Sequence, residues 1–470
     1  MLRFIALVIA ASAVTGSAAA QGLDELIDFV LRPGQEAEDE DIWDWDRGPE
    51  ASLLESQPGP PLLGPTGEEE IGPPLLGPNA PLDVRERLRR DAEADPFAAI
   101  GVQLGPFMIR PSIEIGVTAT DNVARTPGGP DAVGLIVAPA VNMVAEGDRH
   151  ELEIDLSGEG VFYDRQDFNT RDASARVIGR YDLSDSTSLV GEGGYAEFRE
   201  DLDDPDTPGG AAERPTVRSL DASLGVEQRM GRLSFHPSAF VDRGMHDDVP
   251  LSGGGAASRR ELDNTQYGGR LRTGFALGAG VTPFTEVAVG RRDYDQQVDD
   301  SGFRRTSLWG ELSGGLIVEH GDKLSGEMSV GFRHEELEDA ALPDIDALLV
   351  NAAIVWSPQR LTEVRVDLFT DVLTTSVPDE SGTVLYSGLV TLSRRVTPRV
   401  RLAGGGGVDY EYSIGGGWRD VTFTGFAETS YAFSRTASVV ARYVYERLES
   451  SDPGFDYDAH TVGVRLRLQR

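Results

Sequence analysis

From residue 107 to its end, this chain alternates apolar and polar residues with a period of two, in stretches of 10–14 residues. The clearest stretch sets Ile109, Pro111, Ile113, Ile115, Val117 and Ala119 on one face. Ser112, Glu114, Gly116, Thr118 and Thr120 occupy the other. Successive side chains of a strand point to opposite faces, so this pattern places one face in apolar surroundings and the other in water. Residues 308–318 and 400–412 repeat it. Beyond the first 20 residues the most apolar run, 347–356, is ten residues long and contains Asn351. That is half of the roughly 20 residues a spanning helix needs. If this chain crosses a membrane, it does so as strands.

The punctuation between strands selects an architecture. Short connections fall at 146–149, 184–187, 230–232, 278–283, 320–323, 357–360, 397–399 and 434–436. Between them lie mostly longer ones rich in Asp, Gly and Pro, at 121–131, 164–170, 200–214, 246–260, 296–302, 335–344, 375–382, 413–418 and 449–455. Tight turns at one end and long loops at the other are the signature of an outer-membrane barrel, with turns periplasmic and loops extracellular. The fold class expected is therefore all-β: a transmembrane antiparallel up-and-down β-barrel of about 18 strands, with 16 as the alternative. An even count brings both ends of the barrel segment to the turn side.

The polar face is heavily charged. The alternation assigns Glu114, Glu151, Glu153, Asp155, Arg176, Arg180, Arg270, Arg272, Arg394, Arg401, Asp409, Glu411, Arg442, Arg465 and Arg467 to the lumen wall. Aromatic residues cluster at strand ends. Tyr163, Tyr195, Tyr294, Tyr410, Tyr412, Tyr445 and Tyr457 lie toward the long loops, and Tyr181, Trp356, Tyr431 and Phe433 precede short turns. Two interfacial girdles are expected, since an amphipathic ring is stable where hydrocarbon meets headgroups.

The N-terminal quarter differs. Residues 1–20 carry Arg3, an apolar core and the ending Ala18-Ala19-Ala20, the layout of a secretory signal peptide. Residues 21–106 hold 20 acidic and 6 basic residues, two copies of GPPLLGP at 59–65 and 72–78, and a charged helix candidate at 82–94. Such a segment buries too little apolar surface to offset chain entropy, so it is expected to be a mostly disordered periplasmic extension. The barrel follows over 107–470. The repeats read as a spacer, or as a docking peptide for a periplasmic partner.

The final strand contains Thr461-Val462-Gly463-Val464-Arg465-Leu466-Arg467-Leu468. Gly463, Leu466 and Leu468 resemble the C-terminal insertion signal of outer-membrane barrels, which would be read by the barrel-assembly machinery. The run departs from that signal by ending in Leu and adding Gln469 and Arg470. Pro111-Ser112-Ile113-Glu114-Ile115-Gly116-Val117, with Asp121-Asn122-Val123 beyond it, resembles the opening strand of an outer-membrane β-barrel porin family of α-proteobacteria. The resemblance spans about 107–468. It implies an outer-membrane barrel, in some members associated with exopolysaccharide export.

The composition narrows the function. A net charge of −35 leaves no basic footprint for nucleic acid. The absence of Cys excludes disulfides and thiolate chemistry. His150, His236, His320, His334 and His460 show no metal-ligand spacing, and neither Asp293–Asp300 nor Asp201–Asp206 has the Gly and Glu placement of a calcium loop. No metal or cofactor is expected. The candidate catalytic cluster, His246-Asp247-Asp248 facing Asp203-Asp204, reads as solvated surface, so an enzyme such as an outer-membrane hydrolase is the weakest reading. Barrels of 16–18 strands leave an aqueous lumen. A porin-like channel for small polar solutes is expected, with mild cation preference from the acidic barrel. The alternative is a gated or non-conducting barrel partner in exopolysaccharide export. Lipid and lipopolysaccharide would surround the barrel.

Overall fold

The computed structural model describes residues 96–470 apart from 201–205, 279, 322 and 452–453. The expected signal peptide, the GPPLLGP repeats, the helix candidate at 82–94 and Asp203-Asp204 lie outside the described residues.

The chain runs through β1 (Val102–Leu104), β2 (Phe107–Thr120), β3 (Ala132–Glu146), β4 (His150–Tyr163), β5 (Thr170–Ser184), β6 (Thr187–Arg199), β7 (Thr216–Met230) and β8 (Leu233–His246). A two-strand hairpin within a loop follows, β9 (Val249–Pro250) and β10 (Ala256–Ala257). Next come β11 (Asn264–Phe275), β12 (Val281–Tyr294), β13 (Ser307–His320), β14 (Leu324–Leu337), β15 (Ile345–Gln359) and β16 (Thr362–Leu373). The last five are β17 (Gly382–Thr397), β18 (Val400–Ile414), β19 (Arg419–Ser434), β20 (Ala437–Ser450) and β21 (Tyr457–Gln469).

The eighteen long strands pair antiparallel with their sequence neighbours, β8 with β11 across the small hairpin. The first and last then pair with each other, from Ser112 opposite Gln469 to Thr120 opposite Thr461. This closes an eighteen-stranded barrel and removes the open edges that hydrocarbon forbids. The count is eighteen and not sixteen. β1, which the sequence reading left in the extension, pairs with the start of β2, Val102 opposite Ile109.

Eight connections are short and nine are generally longer, alternating from end to end. The shortest turns need special backbone geometry. At 231–232, Gly231 takes φ +63°, a left-handed conformation that glycine enters without steric cost.

The two faces separate as the alternation demands. Leu308 and Leu312 of β13 are exposed at 59% and 62%, while Trp309 between them on the opposite face is 4% exposed. Exposed apolar side chains recur at Ile115, Val117, Val287, Val289, Val462, Val464, Leu466 and Leu468. Outward-facing ion pairs gather near the long-loop ends: Arg243 with Asp295 at 2.6 Å, Arg291 with Asp293 and Glu338, and Arg447 with Glu449 at 2.8 Å. The outside thus carries an apolar band beneath a charged rim.

The girdle expectation needs correction. Tyr181, Trp356, Tyr431 and Phe433 are exposed on the outer face beside short turns. Tyr410 and Tyr412 also follow the outward parity and stack with Tyr386. Tyr163, Tyr294 and Tyr457 instead follow the inward parity, and Tyr457 donates its hydroxyl to Glu446. Nearness to a strand end fixes height along the barrel but leaves the facing direction to parity.

Candidate functional site

The inner wall is built in layers, beginning with glycine. A Cβ at Gly268 would come within 2.7 Å of Phe240 Cζ, and one at Gly290 within 2.5 Å of Trp309 Cζ2. Gly315 lies under Phe284 and Gly405 under Phe426 in the same way. Bare backbone therefore lets these inward rings lie flat against neighbouring strands. Over each ring sits an arginine: Arg333 at 4.3 Å from Trp309, Arg272 at 4.2 Å from Phe284, Arg442 at 5.4 Å from Phe426 and Arg270 at 5.5 Å from Phe240. The negative ring face attracts the guanidinium and restrains it.

Carboxylates complete the third layer. Arg272 bonds Glu286 at 2.6 Å and Glu327 at 2.9 Å, Arg270 pairs with Glu286 at 3.2 Å, and Arg333 with Glu311 at 3.0 Å. Arg442 lies 3.9 Å from Glu428. At the closure seam Glu114 binds Arg467 at 2.7 Å, while Arg465 bridges Glu114 and Glu159. Removing one partner would strand the other beside an apolar wall, so each charge holds its neighbour in place.

Other residues assigned to the lumen fall on the same wall. Arg176 pairs with Glu192, and Arg180 with Asp182 and Glu227. Glu151 stands opposite Arg180, and Asp155 opposite Arg176. The Asn142 amide donates to Glu153 and to Asp155. Arg401 reaches the Ser393 hydroxyl, Asp409 accepts from Ser387 and Glu411 from Thr383. Arg394 departs from the expectation. It sits opposite the exposed Leu402 on the outer face, while Arg395 stands opposite Arg401 on the inner one. Adjacent residues of a strand cannot both face inward. Near the 398–399 turn a long side chain can still reach headgroups. Of the insertion-signal residues, Leu466 and Leu468 are exposed outward and Gly463 is on the inward parity.

The loop end is knitted together across the aperture. Asp206 Oδ1 accepts hydrogen bonds from the Ser376 backbone N–H at 2.8 Å and from its hydroxyl at 2.6 Å. Buried arginines staple loop to loop. Arg259, 2% exposed, pairs with Glu200 and donates to the Asp206 carbonyl. Arg305, 4% exposed, binds Asp299 at 2.6 Å and donates to the carbonyls of Glu380 and Val377. Arg214 donates to the Val123 carbonyl, and the Trp418 indole N–H to the Glu380 carboxylate. Burial, with Asp206 adding repulsion, pushes the Glu380 carboxyl up to about 7; Trp418 and Arg305 oppose the shift. None of these loop contacts was anticipated from sequence, and all but Arg305–Asp299 join different loops.

Of the candidate catalytic cluster, His246, Asp247 and Asp248 lie among the described residues and Asp203-Asp204 do not. His246 is held by Asp263, whose carboxylate accepts its backbone N–H at 2.7 Å and lies 3.3 Å from its ring Nδ1. No group of three or more His, Asp or Glu able to hold a metal occurs among the described residues.

A closed barrel with an apolar exterior and an ionic interior defines an outer-membrane-type β-barrel protein. Residues 95–470 match the family described as putative beta-barrel porin 2, and the chain belongs to that family. No curated protein matches it. Similar solved structures include the siderophore receptor PiuA from Acinetobacter baumannii, at TM-score 0.41 and 8% identity, covering 79% of this chain and 82% of the other. A ferric enterobactin receptor mutant from Pseudomonas aeruginosa aligns at TM-score 0.40 and 6% identity, covering 77% and 80%.

Proposed function

We propose that this protein is an outer-membrane channel for small polar solutes, and that it is not an enzyme. The observation that carries the reading is the wall itself, ionic inside and apolar outside around eighteen strands. A barrel of this size has room for water, and a charged lining keeps water there. The acidic excess of the chain supports a mild cation preference. Lipopolysaccharide is the partner that the outward ion pairs at the loop ends would meet. The test is swelling of liposomes holding the purified full-length protein, in neutral sugars of increasing size. Uptake that falls off with solute size supports a channel, and no uptake by correctly folded barrel overturns it.

A second reading is a gated partner barrel in exopolysaccharide export. It draws support from residues 96–104 at the short-turn rim. There the Pro96 carbonyl accepts from Arg435, the Phe97 carbonyl from Gln469, and the Phe97 ring lies 5.5 Å from Arg399. The preceding extension would then leave the barrel on its periplasmic side, where a partner could take hold of it. Conductance with and without residues 21–95 separates the readings. Equal conductance supports plain diffusion, and a channel silent until the segment is removed supports the gated partner.

A further inference from the structure

The contact between Asp206 and Ser376 joins loops rooted far apart on the barrel. Asp206 belongs to the connection from β6 to β7, Ser376 to that from β16 to β17. Six strands separate those hairpins around one side of the barrel and eight around the other. Strands about 4.8 Å apart and tilted about 40° give eighteen of them a diameter of roughly 36 Å. Hydrogen bonds at 2.6 and 2.8 Å between such hairpins require the loops to fold inward over the aperture. Two side chains of that size could not span it from the rims.

The crossing is fixed at both feet. On one side Arg259 holds Asp206 by its carbonyl, with Glu200 as its counter-charge. On the other, Arg305 holds the main chain at Val377 and Glu380. Both guanidinium groups are nearly inaccessible to water. Buried charges remain in place only when paired and hydrogen-bonded, and here each pairing crosses from one loop to another or anchors a group that does. An open mouth would have no need of charged residues buried between its loops.

We infer that residues 206–215 and 374–381 form a latch across the extracellular mouth, so that passage through the barrel is gated by the Asp206–Ser376 contact. This rests on the channel reading above and adds to it where flow is controlled. The lumen wall sets which solutes fit, while the latch sets when they enter. Burial of Glu380 beside the latch gives the closed form a further dependence on protonation. The charged groups acting on it come from both neighbouring loops, Asp206 from one and Arg305 from the other, with the Trp418 indole on a third side.

The chain has no cysteine, so a cross-link can be placed without competition. The experiment is single-channel recording of full-length protein in planar bilayers, using wild type, Asp206→Ala, and the double variant D206C/S376C oxidised and reduced. Barrel folding of each is checked by its heat-dependent mobility on gels. Loss of charge-assisted hydrogen bonds should raise the ratio of open to closed time about tenfold or more in Asp206→Ala. The oxidised double variant should be silent, and reductant should restore openings. Failure of the cysteine pair to oxidise overturns the contact itself. Equal conductance by wild type, Asp206→Ala and both redox states overturns the latch and leaves the channel reading standing. Silence of every folded sample, Asp206→Ala included, overturns both.

Discussion

Phe240 and Trp309 stack with ring centroids 5.8 Å apart, although two strands, β11 and β12, run between those that carry them. Gly268 and Gly290 lie between and leave the rings room to meet over bare backbone. The lumen wall therefore depends on where side chains are missing as much as on where they are charged. Gly290→Val should push the Trp309 ring off its bed and lift Arg333 with it. Overpacking of this kind costs about 1–3 kcal/mol, read as a lower midpoint for thermal unfolding of the barrel. An unchanged midpoint would contradict the layered wall.

Arg272 bridges Glu286 and Glu327, and Arg270 shares Glu286 with it. Arg272→Gln should leave both carboxylates facing the lumen with less counter-charge, shifting the reversal potential in a salt gradient toward cations relative to wild type. A shift toward anions would show that this triad does not face the conducting path.

The latch should respond to pH with a defined sign. The Glu380 carboxyl sits at about 7 in the closed form, above its ordinary range, so closure favours the protonated acid. The closed form is most stable below the ordinary carboxylate pKa of about 4.3 and loses that stability as pH rises toward 7. Openings should become more frequent by at least about tenfold between pH 4.5 and pH 8. Glu380→Gln should remove most of that dependence. A response of opposite sign in single-channel recordings would refute the assignment.

Outward and inward positions of one strand should tolerate charge unequally. Leu312→Arg places a cation on the exposed apolar face of β13, which costs about 2–4 kcal/mol at the bilayer midplane and falls toward the interfaces. Ser313→Arg, one residue along and facing the lumen, should fold nearly as well as wild type. Folding yield into lipid vesicles measures both, and equal yields would argue against the facing directions.

Much of this architecture could be read from the amino-acid order because a membrane barrel repeats a local rule. Period-two alternation assigned Ile113, Ile115 and Val117 to one face, and the spacing of turns placed eighteen strands. Arg394 shows the limit of that rule. Beside Arg395 it offers a second, equally charged choice, and only pairing with β18 settles which faces inward. The inner rings had a usable signal: Phe284 shares parity with Glu286, and Phe240 with Asp242. Asp206, Arg259, Arg305 and Glu380 had none, since loop-to-loop contacts follow from where closed strands carry their ends. β1 was missed because three residues are too few to display a period.

The account as a whole depends on which side chains along a strand meet lipid. The absence of native cysteine allows single Cys substitutions to be read one at a time in reconstituted protein. Labelling successive positions 310–314 of β13, clear of the ring-covered residues and of the charged rim, with a charged, water-soluble maleimide tests it most directly. Odd positions should label, and even positions should be protected until the bilayer is dissolved. Uniform labelling at every position, or protection of the odd set, would contradict a barrel with lipid outside and water within.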